Sequence, residues 1–189
     1  MSVPAPLLPA PLAFATDGTP YSETYQDVYN SAQGGLAQAH HVFLRGNGLP
    51  ERWRGRRTFA VLETGFGTGL SFLATLRAWR EDPGRCDRLH FVSIEKHPFQ
   101  ADDLAVLLKE FPDFRSELLS RWPMLVPGMH RLEFERGNVV LTLFFGDIAD
   151  GLQQLQMAAD AIYLDGFAPT KNPQMWAPSC AAPASASAR

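Results

Sequence analysis

Residues 62–79 read LETGFGTGLSFLATLRAW. An apolar run leads into Glu63 and Thr64. Gly65, Gly67 and Gly69 follow, separated by Phe66 and Thr68. Leu70, Leu73, Ala74 and Leu76 then recur at helical spacing. A strand, a tight glycine turn and a helix in direct succession make the first half of a βαβ unit. That unit narrows the choice of fold, because a parallel partner strand needs a long, usually helical, crossover.

The rest of the chain keeps the alternation. TFAVLETG, RLHFVSIEKHP and DAIYLDGFAP are strand-length apolar runs, closed by Gly65, Pro98 and Gly166. GLSFLATLRAWRED, FQADDLAVLLKEF, FRSELLSRW and IADGLQQLQMAA carry helical patterns, and a short helix is expected over residues 36–44. HRLEFERGNVVLTLFFGD predicts a hairpin turning at Gly137-Asn138. The expectation is an α/β fold with a mostly parallel sheet and helices on both faces. At 189 residues and 46% hydrophobic content, the chain suffices for one domain with a core. The first 20 residues, Pro-rich and without a basic start, predict an extended arm, not a signal peptide.

In such sheets ligands bind outside the carboxyl ends of the strands. Four carboxylates fall there: Glu63, Glu95, Asp147 and Asp165. The glycine loop lacks the lysine of a triphosphate loop, and its G-x-G-x-G spacing puts Leu70 where a dinucleotide loop has its third glycine. Glu63 beside the loop would repel a pyrophosphate and attract a cation. S-adenosylmethionine fits better, having a sulfonium, an ammonium and no phosphate. Its carboxylate suits the N–H groups of a helix start. The expected cofactor set is Glu63, Gly65, Phe66, Gly67, Thr68 and Gly69. Glu95 with Lys96 serves the ribose, Asp147 the adenine amino group, and Ile148 the ring. Glu95 alone does not separate this cofactor from NAD, so a nicotinamide-dependent oxidoreductase stays an alternative.

YLDGFAPTKNPQMW follows the last strand. Asp165 is expected as the proton acceptor for an amine substrate. Phe167 is expected to stack on the acceptor, beside Lys171 and Asn172. LRGNGLPERWRGRR groups Arg45, Arg52, Arg54, Arg56 and Arg57 around Trp53, a candidate RNA contact or a solvated loop. The net charge of −3 signals no global affinity for nucleic acid. Cys86 and Cys180 have no metal-ligand spacing and suit a reducing cytoplasm, and no metal is expected. No apolar run approaches the ~18 residues of a membrane span.

ETGFGTGLSFLAT, SIEKHPF and YLDGFAPTKNPQMW, with PYSETYQDVYNSAQGGL and HHVFLRGNGLPERW, together resemble a known family. It is the methyltransferase domain of the bifunctional tRNA 5-methylaminomethyl-2-thiouridine biosynthesis proteins. The resemblance runs from about residue 18 to 176. It implies a class I (Rossmann-like) methyltransferase fold and methyl transfer from S-adenosylmethionine to the aminomethyl group of a wobble uridine in tRNA. It also implies an FAD-dependent oxidoreductase domain or protein acting on the same nucleotide. Ser71 stands where the family usually has Asn, and Ala37 and Gln38 replace acidic residues. The end, APSCAAPASASAR, is low in complexity and unlike the expected helix. The expected organisation is an arm over residues 1–20, a methyltransferase domain over 21–176 truncated at its C-terminal strands, and an irregular tail over 177–189. A remnant that binds cofactor or tRNA without turnover is the second alternative.

Overall fold

The computed structural model describes residues 6–30 and 34–176. The tail proposed over residues 177–189, with Cys180, lies outside them. Two short strands, β1 (Tyr21–Ser22) and β2 (Asp27–Val28), pair as a small antiparallel hairpin. α1 (Gly35–Ala39) runs on through a wide turn over His40–Leu44, so the helix expected at residues 36–44 changes pitch midway. Then come β3 (Thr58–Thr64), α2 (Leu70–Glu81), β4 (Arg88–Glu95), α3 (Ala101–Leu107) and α4 (Pro112–Leu119). β5 (Gly128–Phe134), β6 (Val139–Phe145), α5 (Ile148–Gln154) and β7 (Ala161–Tyr163) complete the chain.

The sheet order is β5-β6-β4-β3-β7, parallel throughout except for the β5–β6 hairpin. α5 stops at Gln154, five residues short of the expected helix, because Leu155 turns extended (φ −87°, ψ 123°). The chain must cross here to reach β7, and Asp160 N–H bonds Ala60 O at 2.8 Å. Leu155 and Met157 in this crossing pack on the sheet instead.

Strand alternation sorts the core into two layers. Phe59 and Val61 of β3, Leu89 and Phe91 of β4, and Leu141 and Leu143 of β6 face the larger layer. There Phe72 of α2 meets Phe91, Phe114 and Phe134 at ring-centroid distances of 5.2, 6.1 and 5.2 Å. Leu62, Val92, Ile94 and Phe144 face the opposite way, onto Leu152 of α5 and Ala159. Among the described residues no helix is long and apolar enough to cross a membrane.

Candidate active site

One cleft lies outside the carboxyl ends of β3, β4, β6 and β7, with β2 and α1 forming its outer wall. It holds about 1220 Å³ of atom-free space, its open mouth included. Of the residues expected from sequence, Gly65, Phe66, Gly67, Thr68, Glu95, Lys96, Asp147, Ile148, Asp165, Phe167 and Asn172 line it. Glu63, Gly69 and Lys171 do not.

The loop glycines answer to their protein neighbours. Gly65 has φ +95°, and a Cβ there would come within 2.8 Å of the Asp165 carbonyl oxygen. Thr64 Oγ1 donates to that same carbonyl at 3.1 Å. The β3 and β7 loops are thereby held backbone to backbone, which brings Asp165 to the glycine loop. Gly69 has φ +80°, and a Cβ there would meet the Phe66 ring at 2.8 Å. Phe66 itself is buried and stacks on Trp122 (5.7 Å), so most of its ring belongs to the core.

The four strand-end carboxylates have four different surroundings. Glu63 is fully buried. It shares a face with Phe59 and Val61, and its cross-strand partner is Ser93. Ser93 Oγ donates to its Oε2 at 2.6 Å, and Ser71 Oγ donates to its Oε1. Burial pushes this carboxyl well above the usual carboxylate range, and the nearby Asp165 charge adds to the rise. Glu63 therefore sits under α2 and does not line the cleft, its two carboxyl oxygens accepting from Ser71 and Ser93. Ser71, in the family's usual Asn position, serves as its donor.

Glu95 is half-buried and already bonded: the Gly67 N–H donates to Oε2 (2.8 Å) and the His97 N–H to Oε1 (2.7 Å). Glu95 thus ties the glycine loop to the end of β4 through the Gly67 N–H. Asp147 caps α5 through the Ala149 N–H (3.0 Å) and pairs with Lys96 Nζ (3.0 Å). Although its partial burial acts the other way, these partners hold its carboxyl below its ordinary value. Asp165 is half-buried two residues past β7. Burial pushes its carboxyl up to about 7; the Gly166 N–H opposes this and the Glu95 charge adds to it.

Residues 168–176 fold into successive turns, with Lys171 N–H (2.7 Å) and Asn172 N–H (2.9 Å) both bonded to Ala168 O. Lys171 is exposed outside the cleft. The cleft also holds residues that sequence reasoning missed: Tyr25, Tyr29, Val42 and Phe43 on or beside the outer wall, His97 after β4, and Met175 in the C-terminal turns. The aromatic density of YSETYQDVYN was the available signal, but nothing local tells where the hairpin docks.

The basic stretch lies elsewhere. Arg56 pairs with Asp160 (2.8 Å), Arg54 with Asp82 (3.0 Å), and Arg52 donates to the Asp160 carbonyl (2.5 Å). Trp53 is fully buried and donates to Asp82 (2.8 Å). These residues precede Thr58, at the amino end of β3, about 20 Å from its carboxyl end. His40 and His41 are exposed, and no cluster of three or more metal-ligating residues occurs among the described residues.

A cleft of this kind, with a glycine loop after the first sheet strand and acids after the next strands, suits a nucleoside-bearing cofactor. Residues 109–184 match the model of a family described as S-adenosyl-L-methionine-dependent methyltransferase. The chain is 61% identical over 174 residues to the tRNA 5-methylaminomethyl-2-thiouridine biosynthesis bifunctional protein of Azoarcus sp. (strain BH72). It is 59% identical over 177 residues to that of Paraburkholderia xenovorans (strain LB400). Each match covers 90% of this chain and 27% of the relative. The fold is also that of MnmC2 from Aquifex aeolicus, at 23% identity and a TM-score of 0.71, covering 96% of this chain and 57% of that one. The class is therefore S-adenosylmethionine-dependent methyltransferase, and that compound is its cofactor. Within it, the chain is similar to the tRNA 5-methylaminomethyl-2-thiouridine biosynthesis bifunctional proteins, of whose length it spans about a quarter.

Proposed function

We propose that this chain methylates an amine, the aminomethyl group on a wobble uridine of tRNA, with Asp165 as proton acceptor. The observation that carries the reading is a carboxyl held near 7 in the cleft that also contains the glycine loop. Bound there, S-adenosylmethionine supplies an electrophilic methyl group. Glu95 and Asp147 would hold its nucleoside, and Ile148 would pack on the base. The backbone of Gly65, Gly67 and Thr68 leaves room for its chain.

An alkylamine with a pKa near 10.4 arrives as an ammonium ion. An ordinary aspartate, near 3.9, is more than six units too weak a base to take its proton. Raised to about 7, Asp165 faces a gap of roughly three units, on the order of 4–5 kcal/mol. Burial thus reconciles two demands: the carboxylate still pairs with the ammonium, yet it accepts the proton at smaller cost. The nitrogen lone pair is then free for transfer.

Because the cofactor-loaded chain needs ionised Asp165, kcat/KM should fall as pH drops through about 7. Asp165→Asn should lower methyl incorporation into tRNA from cells lacking the modification by about 10²–10⁴-fold. Its affinity for S-adenosylmethionine by calorimetry should stay within a few-fold. An unimpaired turnover in Asp165→Asn would sink the role of Asp165, and tighter binding of NADH than of S-adenosylmethionine would sink the reading itself. The "bifunctional" in the relatives' name supports a second activity in the same biosynthesis, and the family resemblance implies that it is an FAD-dependent oxidoreductase acting on the same nucleotide before this step, in the cytoplasm.

A further inference from the structure

The β1–β2 hairpin has no part in the chemistry above, yet it is tied to the acceptor end of the cleft. Asp27 Oδ2 accepts the Ala168 N–H at 3.0 Å across 141 positions of sequence. Tyr25, in the hairpin turn, stacks on Phe167 with ring centroids 4.6 Å apart and planes at 24°. Tyr29 meets Phe167 edge-on at 5.1 Å. All three rings line the cleft, and Phe167 is only two residues past Asp165.

A near-parallel ring pair beside a half-buried carboxyl suits a flat ligand that carries a cationic substituent. Asn172, whose side-chain amide donates to Met175 Sδ, also lines the cleft, and that amide carries both a donor and an acceptor, as the edge of a pyrimidine does. A ring separation of 4.6 Å leaves no room for a third ring between Tyr25 and Phe167. A base must therefore extend the stack and not part it. We propose that Tyr25 and Phe167 form an aromatic subsite that receives one unstacked pyrimidine base and so presents its amine to Asp165. The proposal rests on the tRNA amine reading above and adds the N-terminal hairpin as the element that selects a base over other amines. Single-stranded RNA is commonly recognised through such stacking.

The test uses two anticodon stem-loop RNAs, one carrying 5-aminomethyluridine at the wobble position and one abasic there, with S-adenosylhomocysteine present. The full chain should bind the base-carrying RNA on the order of tenfold more tightly. Tyr25→Ala and the apolar, non-aromatic Phe167→Leu should abolish that preference, Tyr25→Phe should keep it, and affinity for S-adenosylhomocysteine should stay within about twofold in all three. Equal binding of both RNAs by the unaltered chain, or an undiminished preference in folded Tyr25→Ala and Phe167→Leu, overturns the proposal. With S-adenosylmethionine in place of S-adenosylhomocysteine, absence of methyl transfer to the base-carrying RNA by the unaltered chain, the base preference intact, overturns the amine-transfer reading and leaves the subsite standing.

Discussion

Asp165 and Glu63 look alike in sequence, each an acid at the end of an apolar run. Their surroundings make them different. Glu63 points into the layer under α2, where Ser71 and Ser93 donate to its carboxyl and burial pushes it well above the usual carboxylate range. Asp165 emerges into the cleft with its carboxyl raised to about 7. A raised carboxyl opposes stability where the unfolded chain would ionise it: the cost is absent below about pH 4, grows between about 4 and 7, and is complete above that. Asp165→Asn should therefore stabilise the ligand-free chain at pH 8 by on the order of 1–2 kcal/mol, allowing for solvent screening of a half-exposed group. The gain should vanish at pH 4. Urea unfolding at both pH values measures it, and equal stability at pH 8 would contradict the raised value. The same substitution that removes turnover should thus strengthen the fold, as expected for a group kept for function.

The elements themselves were largely legible. β3, β4 and β6 occupy the apolar runs named from sequence, and α2 follows the pattern of Leu70, Leu73 and Leu76. Even the placement of Glu63 could have been read, since Phe59, Val61 and Glu63 share one face of a strand by alternation. The loop glycines carry a duty that the local pattern does not show: Gly65 is required by the Asp165 carbonyl and Gly69 by the Phe66 ring. The C-terminal half of IADGLQQLQMAA was misread because its apolar residues suit helix and sheet packing equally, and the path to β7 decides between them. Helix α2 is held chiefly through Phe72, which is fully buried among Phe91, Phe114 and Phe134. Phe72→Ala should cost about 3–5 kcal/mol in denaturant unfolding. A loss under 1 kcal/mol would mean that the aromatic cluster repacks without it.

Across the molecule the sheet separates two kinds of chemistry. Its carboxyl ends hold the cleft, and its amino ends hold arginines paired with Asp82 and Asp160. That separation makes Arg54 and Arg56 a brace between β3 and its neighbours, at the end of the sheet away from the cleft. Arg56→Ala should lower stability by about 0.5–1 kcal/mol, the range of a partly exposed ion pair. It should leave KM for tRNA within about twofold; a tenfold rise in KM would restore the RNA role. The α/β class, the glycine turn and the acids after the strands follow from periodicity and backbone sterics, which act between near neighbours and are written locally. The contact of Gly65 with Asp165, the stack of Tyr25 on Phe167 and the burial of Glu63 depend on the path of the chain. They join positions 100, 142 and 30 residues apart, through Asp165, Phe167 and Ser93 respectively. Such contacts exist only once the sheet order is set, and local pattern carries no information on which distant surfaces will meet.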